Sequence, residues 1–522
     1  MKEDHKRDHK TGKSFLRIFS FRWTEHRKRK NEFKGNDEFT KGEEALATGD
    51  SKSAFEHFEK AARLGNAEAQ CALAWCYENG DGVPKDLLQA VKWWRKSAKQ
   101  GISTSQLMLA SHYENGESVM QNTSKANKWY RAAAASLYKE AEQGYAGAQY
   151  LLGELYRHGK GVKKDLNEAA QWYHKAAEQG NAEAQYALAS FHLHGIYVDH
   201  NPAKAVKWLK ESAMQGNADA EFTLANCYEH GNGVLESKKT AFNLYLRSAR
   251  HGNHVAQYYL YQFYESGNIV RKNEVKAFKW LYKSAKQGYR DAAYELGLCY
   301  ANGKVVCKNM SKAIEWYQVA AEGGCFGAWY RMGQYFMYGN KAERNERKAF
   351  QCFEIAAWGN HAEAKYELGL CLDQGKGVLT KNKAKAAMWF REAADQRHPG
   401  AIYYLSTYYE AIRQTPGNRK MAKMLLHDAT NLGFAEAQYA LGSRYYNGIG
   451  LRKGRIEGIM WLLKAAGQKH EKAYAVLMQY IELGGKEVQN ALGMYARRGN
   501  LVAQEVISRF KDKQAIEAIT YP

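Results

Sequence analysis

The sequence predicts an all-α fold, a right-handed superhelical α/α solenoid of about twelve helix-turn-helix repeats. Three observations carry this. An apolar pattern returns at a fixed period, with Gly144, Gly180, Gly216, Gly252, Gly288 and Gly324 each 36 residues apart, and self-similarity at one period marks a repeat array. Each period holds two stretches with helical apolar spacing, separated by a glycine-rich turn. Only 5 of the 522 residues are proline, so little in the chain breaks a helix by removing a donor.

The first helix of each repeat carries a small residue at Ala69, Ala148, Ala184, Ala220, Ala256, Ala292, Ala328, Ala364, Ala401, Ala437 and Ala473. Four residues on stands a leucine or methionine, as at Leu73, Leu152, Leu296 and Met332, and four further usually an aromatic, as at Tyr77, Tyr156, Tyr228 and Phe336. That spacing puts all three on one helix face. The alanine lets a neighbouring helix approach, and the larger side chains fill the space beside it. The second helix reads Ala, then an aromatic, then Ala, as in Ala90/Trp93/Ala98 and Ala313/Trp316/Ala321. Asp86 and Asp165 stand just before second helices, where a carboxylate favours the helix N-terminus.

Between the helices lies Gly-x-Gly-Val, as at Gly80 to Val83, Gly159 to Val162, Gly231 to Val234 and Gly375 to Val378. Phosphate-cradling loops need a strand before them and a helix directly after. Helices flank these loops on both sides, so they read as turns. One spacing departs: Gly101 and Gly144 are 43 residues apart. The extra seven residues are about two helical turns, so the Ala-rich segment Ala132 to Leu137 is expected to lengthen a second helix without rotating its buried face.

These residues closely resemble the Sel-one-like repeat, a relative of the tetratricopeptide repeat, over about Asn66 to Gly484. The segment Phe39 to Gly65 looks like a shorter opening unit. The resemblance implies a superhelical adaptor without a shared catalytic site, whose relatives scaffold protein complexes; many bacterial ones act in host interaction, envelope functions or regulation. Some cysteine-rich relatives pair cysteines across the two helices of each repeat. Here Cys76, Cys227, Cys299 and Cys371 share one first-helix position and lack a regular second-helix partner, so they read as small buried thiols. The expected organisation is a basic arm over residues 1–36, a solenoid over 37–498 and a capping helix over 499–522.

The formal charge is +21, from 76 Lys and Arg against 55 Asp and Glu. About a third of that excess lies in the first thirty residues, where Arg27, Lys28, Arg29 and Lys30 follow the aromatic stretch Phe15 to Trp23. The balance favours an acidic protein, an anionic membrane surface or a nucleic acid. The other reading of the arm is disorder. No apolar run is long enough to span a membrane and no secretory signal is evident. The default location is therefore the cytoplasm, with signal-independent secretion left open.

In a repeat array, core positions recur and partner-facing positions vary. The most variable first-helix positions stand three and six residues after the marker alanine. By analogy with tetratricopeptide arrays, first helices line the concave groove. Two tyrosine-rich stretches, Tyr258 to Tyr264 and Tyr403 to Tyr409, add aromatic anchors of the kind favoured at interfaces; the alternative for them is packing between repeats. The candidate partner-binding residues are Tyr259, Tyr261, Gln262, Glu295, Arg331, Gln334, Glu367, Tyr404, Thr407 and Tyr408. No catalytic, cofactor or metal site and no small-molecule substrate is expected. His192, His194 and His200 form the nearest approach to a ligand set, but His192 takes an aromatic core position, so packing is the better reading. The leading function is a protein adaptor. The alternatives are a regulator using the arm on a membrane or nucleic acid, and a bacterial effector or host-interaction protein.

Overall fold

A computed structural model describes residues 35–196, 198–340, 344–412, 415–449, 454–483 and 485–520. The basic block Arg27 to Lys30 lies outside them. Among the described residues there are 27 α-helices and no strand. The chain forms two compact units, Met1–Trp280 and Leu281–Pro522. In each, helices alternate as a first (A) and second (B) member of a hairpin, most of them 13 residues long. The first unit opens with the pair Asn36–Ala47 and Ser51–Arg63, and its next A helices are Ala67–Asn79, Ser103–Asn115, Ala146–His158, Ala182–His194, Ala218–His230 and His254–Ser266. The second has A helices Arg290–Asn302, Phe326–Tyr338, Ala362–Gln374, Pro399–Ala411 and Ala435–Asn447, and closes with Glu471–Leu483, Gly485–Arg497 and Leu501–Thr520.

The helix ends follow from local chemistry. Asp86 caps its B helix by accepting from the N–H groups of Leu88 and Gln89, both at 3.0 Å, and Asp165 does the same for Asn167 and Glu168. A side-chain acceptor there satisfies donors that the helix leaves open. The A helix Ala67–Asn79 ends at Gly80, whose φ of 84° is left-handed and free of cost only to glycine. The second glycine of the Gly-x-Gly-Val loop has a further duty. A Cβ on Gly82 would fall 2.1 Å from the Ser51 carbonyl oxygen, and one on Gly377 would fall 2.2 Å from that of Glu346. The loop therefore rests directly on the B helix of the preceding repeat.

The expected lengthened helix is Thr123–Glu142, with 20 residues. It buries Ala126, Tyr130, Ala133, Ala134, Leu137 and Ala141 along one face.

The recurring positions form the core. Ala184, Ala220, Ala292 and Ala364 are fully buried, as are Leu73, Leu260 and Leu296. Small meets large between the helices of a hairpin. A Cβ added to Gly297, Gly333 or Gly369 would lie within 2.6 Å of the ring of Tyr317, Phe353 or Phe390. Interiors at crystal-like density leave no slack for it. Cys76, Cys227, Cys299 and Cys371 are buried free thiols, and burial pushes Cys76 up to about 12.

A buried amide also recurs one residue after the marker alanine. Gln70, Gln149, Gln185 and Gln257 donate to the carbonyls of Ala62, Ala141, Ala177 and Ala249 of the preceding B helices, at 3.0–3.2 Å. This stitches each repeat to the one before it and leaves no buried donor unpaired there.

Candidate partner-binding surface

The positions three and six after the marker alanine sit on the A-helix face away from the tightest core. In the second unit they form a connected surface. Arg331 is exposed, and its Nη1 donates to Gln334 Oε1 at 3.2 Å. Gln334 Nε2 in turn donates to the Tyr330 hydroxyl at 2.9 Å. A hydrogen bond to Tyr294, one repeat earlier, is the main cause holding the Arg331 guanidinium in its charged form. In the other direction the Tyr338 hydroxyl donates to Glu367 Oε2 at 2.7 Å. Burial raises the Glu367 carboxyl above its usual range, against the lowering effect of that bond. Glu295 and Leu298 are half-buried on the A helix before Arg331.

A cavity of about 330 Å³ opens among these residues, lined by Leu298, Tyr317, Arg331, Gln334, Tyr335 and Tyr338 among others. It thus joins an aromatic wall to a fixed cation and an amide. Tyr335 and Tyr338 were not among the expected residues. Tyr338 is 55 % exposed, and it stands where Asn79, His158 and Asn302 stand in other repeats. That internal departure was the available signal.

Further along, Tyr404 is half-buried; its ring stacks on Phe390 at 5.3 Å and lies 6.0 Å from Tyr366. Thr407 bonds back to the Tyr404 carbonyl at 2.8 Å, and Tyr408 packs edge-on to Tyr409. These residues share the A-helix face but give more of their area to packing than Arg331 does.

In the first unit, Gln262 is exposed and Tyr259 half-buried. Tyr259 stacks on Tyr245 at 5.3 Å and meets Phe222 edge-on. Tyr261 is a correction. Expected as a contact residue, it is only 7 % exposed, and its ring packs against Tyr258 at 5.6 Å. It lies five residues after the marker alanine, on the side of the helix that faces the hairpin partner. A side chain larger than its Gly and Ala equivalents is here a core filler.

His192 is 9 % exposed, and its Nδ1 lies 3.2 Å from the Asp199 carbonyl. Among the described residues no three His, Cys, Asp or Glu side chains converge as metal ligands. Nor is any described helix long and apolar enough to cross a membrane.

Eleven stretches match the Sel1 repeat: residues 41–66, 67–102, 103–136, 146–181, 182–217, 218–253, 254–289, 290–325, 328–360, 362–398 and 435–470. They take in well over half of the chain, which therefore belongs to the Sel1 repeat family. The gap between the last two holds one further hairpin, Pro399–Ala411 with Pro416–Asn431, which brings the array to about twelve. A protective antigen of uropathogenic Escherichia coli with an SLR fold is similar over 97 % of both chains, at 29 % identity and a TM-score of 0.43. A Sel1 repeat protein from Oxalobacter formigenes is 32 % identical over 48 % of this chain and 96 % of its own, with a TM-score of 0.40. Among curated relatives, chitin synthase regulatory factor 3 of Schizosaccharomyces pombe is 32 % identical over 110 residues, 20 % of this chain and 12 % of that protein. DAP3-binding cell death enhancer 1 of Rattus norvegicus is 46 % identical over 50 residues, 10 % of each. The chain spans only about a tenth of the length of these curated relatives.

Proposed function

We propose that this chain is a non-catalytic adaptor that holds a protein partner against the A-helix face of its repeats, with Arg331, Gln334 and Glu367 at the centre. Sel1 repeat solenoids are typical protein-interaction scaffolds. The observation that supports the site is the cavity of about 330 Å³ that combines Arg331 and Gln334 with exposed tyrosine. Tyrosine anchors interfaces because it buries much area for few rotatable bonds and keeps a polar tip, and arginine because its planar guanidinium makes several directional hydrogen bonds. A partner segment with a carboxylate beside an apolar side chain would satisfy both the guanidinium and the aromatic wall.

The test is affinity capture from the native source with the full chain and with Arg331→Glu and Tyr338→Ala variants. Proteins recovered by the parent are expected to be lost from the variants while the thermal midpoint is unchanged. If combined substitutions left every recovered partner in place, the surface would be wrongly assigned.

A second reading rests on the composition of the arm, eleven basic residues against four acidic in the first thirty. It would bind an anionic membrane surface or nucleic-acid phosphate, with an affinity that falls as salt rises. Liposome flotation and a salt-titrated DNA or RNA binding assay, each repeated after deletion of residues 1–30, separate the two. Absence of binding at low salt would remove both.

A further inference from the structure

Four repeats share a contact that the repeat opening with Ala182–His194 lacks. The lysine three residues after the B-helix cap lies over the aromatic ring that ends the A-helix core stripe. The pairs are Lys125 over Tyr113 at 5.4 Å, Lys276 over Tyr264 at 5.6 Å, Lys312 over Tyr300 at 5.5 Å and Lys348 over Phe336 at 5.7 Å. Each is a cation held over the negative face of a ring. In the repeat that opens with Ala182–His194, the lysine is Lys204, three after the cap Asn201, and the ring position is occupied by His192. An imidazole is smaller than a phenol and offers a cation no comparable face. Two things follow: a space opens, and Lys204 loses its partner.

The space is a cavity of about 530 Å³, bounded by the B helices Leu166–Glu178 and Pro202–Met214. Leu188 and Trp208 give it an apolar wall, and His174, His192, Lys204 and Lys207 supply polar groups. His174 meets the Trp208 ring edge-on at 6.2 Å. Among the described residues no acidic side chain lines it. The nearby carboxylate of Glu178 is spent on His174 Nδ1, 3.4 Å away. The ammonium groups of Lys204 and Lys207 make no ion pair or hydrogen bond among the described residues, and both side chains are exposed. His192 is more than nine-tenths buried. Its Nδ1 faces the Asp199 carbonyl, which can only accept, so Nδ1 carries a hydrogen and Nε2 is an acceptor. Among the described residues no group donates to it.

We propose that this cavity is a binding site for a phosphate monoester joined to a flat ring. Two unpaired ammonium groups line this volume and suit an anion with several acceptor oxygens, while the His192 Nε2 lone pair can accept the O–H of a monoprotonated phosphate. Trp208 and Leu188 provide a face for the ring. The volume is within the usual span for small-ligand sites, roughly 300–1,000 Å³. The ring phosphate could come from a tyrosine phosphate on a partner protein or from a nucleoside monophosphate. This site lies on the B-helix side of the first unit and is independent of the A-helix surface proposed above.

The test is calorimetric titration of the full chain, at low and at raised salt, with phenyl phosphate, adenosine monophosphate and inorganic phosphate. Saturable binding of at least one ring phosphate is expected, roughly ten-fold or more tighter than inorganic phosphate and weakened by salt. Tighter binding of phenyl phosphate assigns the tyrosine phosphate source, and tighter binding of adenosine monophosphate the nucleotide. The Lys204→Gln/Lys207→Gln double variant changes only exposed side chains and is expected to lose about ten-fold or more in affinity. His192→Tyr restores the residue type found in neighbouring repeats; it should return a ring to Lys204, remove the imidazole and weaken binding about ten-fold or more, with a thermal midpoint at or above the parent. Three results would each overturn the proposal: no saturable heat with either ring phosphate, inorganic phosphate bound as tightly as both, or unchanged binding in His192→Tyr.

Discussion

Where a side chain caps an A helix, it is asparagine in the first unit and histidine in the second. Asn66, Asn181, Asn217 and Asn253 accept the N–H of the residue three further on, at 2.8–2.9 Å. His361, His398 and His470 do the same through Nδ1, for Ala364, Ala401 and Ala473, at 3.1–3.3 Å. Both chemistries satisfy a helix donor that would otherwise be open. The histidines add a contact that asparagine cannot make. Their rings stack on a tyrosine of the preceding repeat: Tyr330 with His361 at 4.7 Å, Tyr366 with His398 at 4.5 Å and Tyr439 with His470 at 4.9 Å. One residue therefore both starts its own helix and packs against the repeat before it.

The difference has a consequence for pH. An asparagine oxygen accepts at any pH, whereas Nδ1 accepts only while it carries no proton. Burial lowers the pKa of His398 below its ordinary value, with Glu363 opposing, and burial lowers that of His361, with Arg331 adding to the effect and Glu363 opposing. As pH falls, the unfolded chain takes up these protons first. The stability they contribute is thus complete above about pH 6.5 and is lost as pH drops through the depressed folded values. At His361 the Glu363 carboxylate lies 3.2 Å from Nδ1, so a protonated ring there has a second partner to take. Among the described residues His398 has no such ion pair, so it gives the cleaner signal.

The units differ in their cores as well. The position five after the marker alanine is mostly alanine in the first unit, at Ala74, Ala189 and Ala225 beside Gly153 and Tyr261, but mostly glycine in the second, at Gly297, Gly333, Gly369 and Gly442. The strongest way to break the comparison is therefore Gly333→Ala. Its new Cβ would meet the fully buried Phe353 ring at 2.5 Å, and overpacking of this kind costs about 1–3 kcal/mol. Thermal melting reads it, and an unmoved midpoint would mean that the ring shifts freely.

Next in size is His398→Ala, expected to cost about 0.5–2 kcal/mol at pH 7.5 through loss of the cap. The gap to the parent should narrow at pH 5, because below about pH 6.5 the unfolded chain takes up the His398 proton before the folded chain does. Amide hydrogen exchange across Pro399–Ala411 at the two pH values measures this, and an equal gap at both would sink the titration argument. The reciprocal change, Asn217→His, moves the histidine chemistry into the first unit. It should leave stability at pH 7.5 within about 1 kcal/mol of the parent and introduce acid sensitivity in Ala218–His230 that the parent lacks. The smallest effect is expected from Arg331→Ala. Exposed and outside the core, it should change stability by no more than about 0.5 kcal/mol, so any larger loss of partner binding belongs to the surface.

Much of this was readable from the residues because a repeat array prints its core many times over. Ala184, Leu188 and Gly195 recur with their period, and each has one physical reason to do so: close approach, filling, and a left-handed helix end. The long helix Thr123–Glu142 was legible for the same reason, since seven residues preserve a helix face. The surface was less legible. Tyr261 read as an anchor because it is large where its equivalents are small, yet size alone does not tell a filler from a contact. Tyr338 was passed over because its position usually holds a small polar residue.

The sequence by itself determined the class of fold, the hairpin boundaries and which recurring side chains are buried, because these depend on spacing within a single period. The tertiary structure decided what variation between repeats means. Whether an odd residue fills a gap, as Tyr261 does, opens one, as His192 does, or reaches its neighbour, as Tyr338 reaches Glu367, 29 residues on, depends on how the helices pack against one another. No spacing rule within one helix records those distances, since they are set by how one repeat packs on the next.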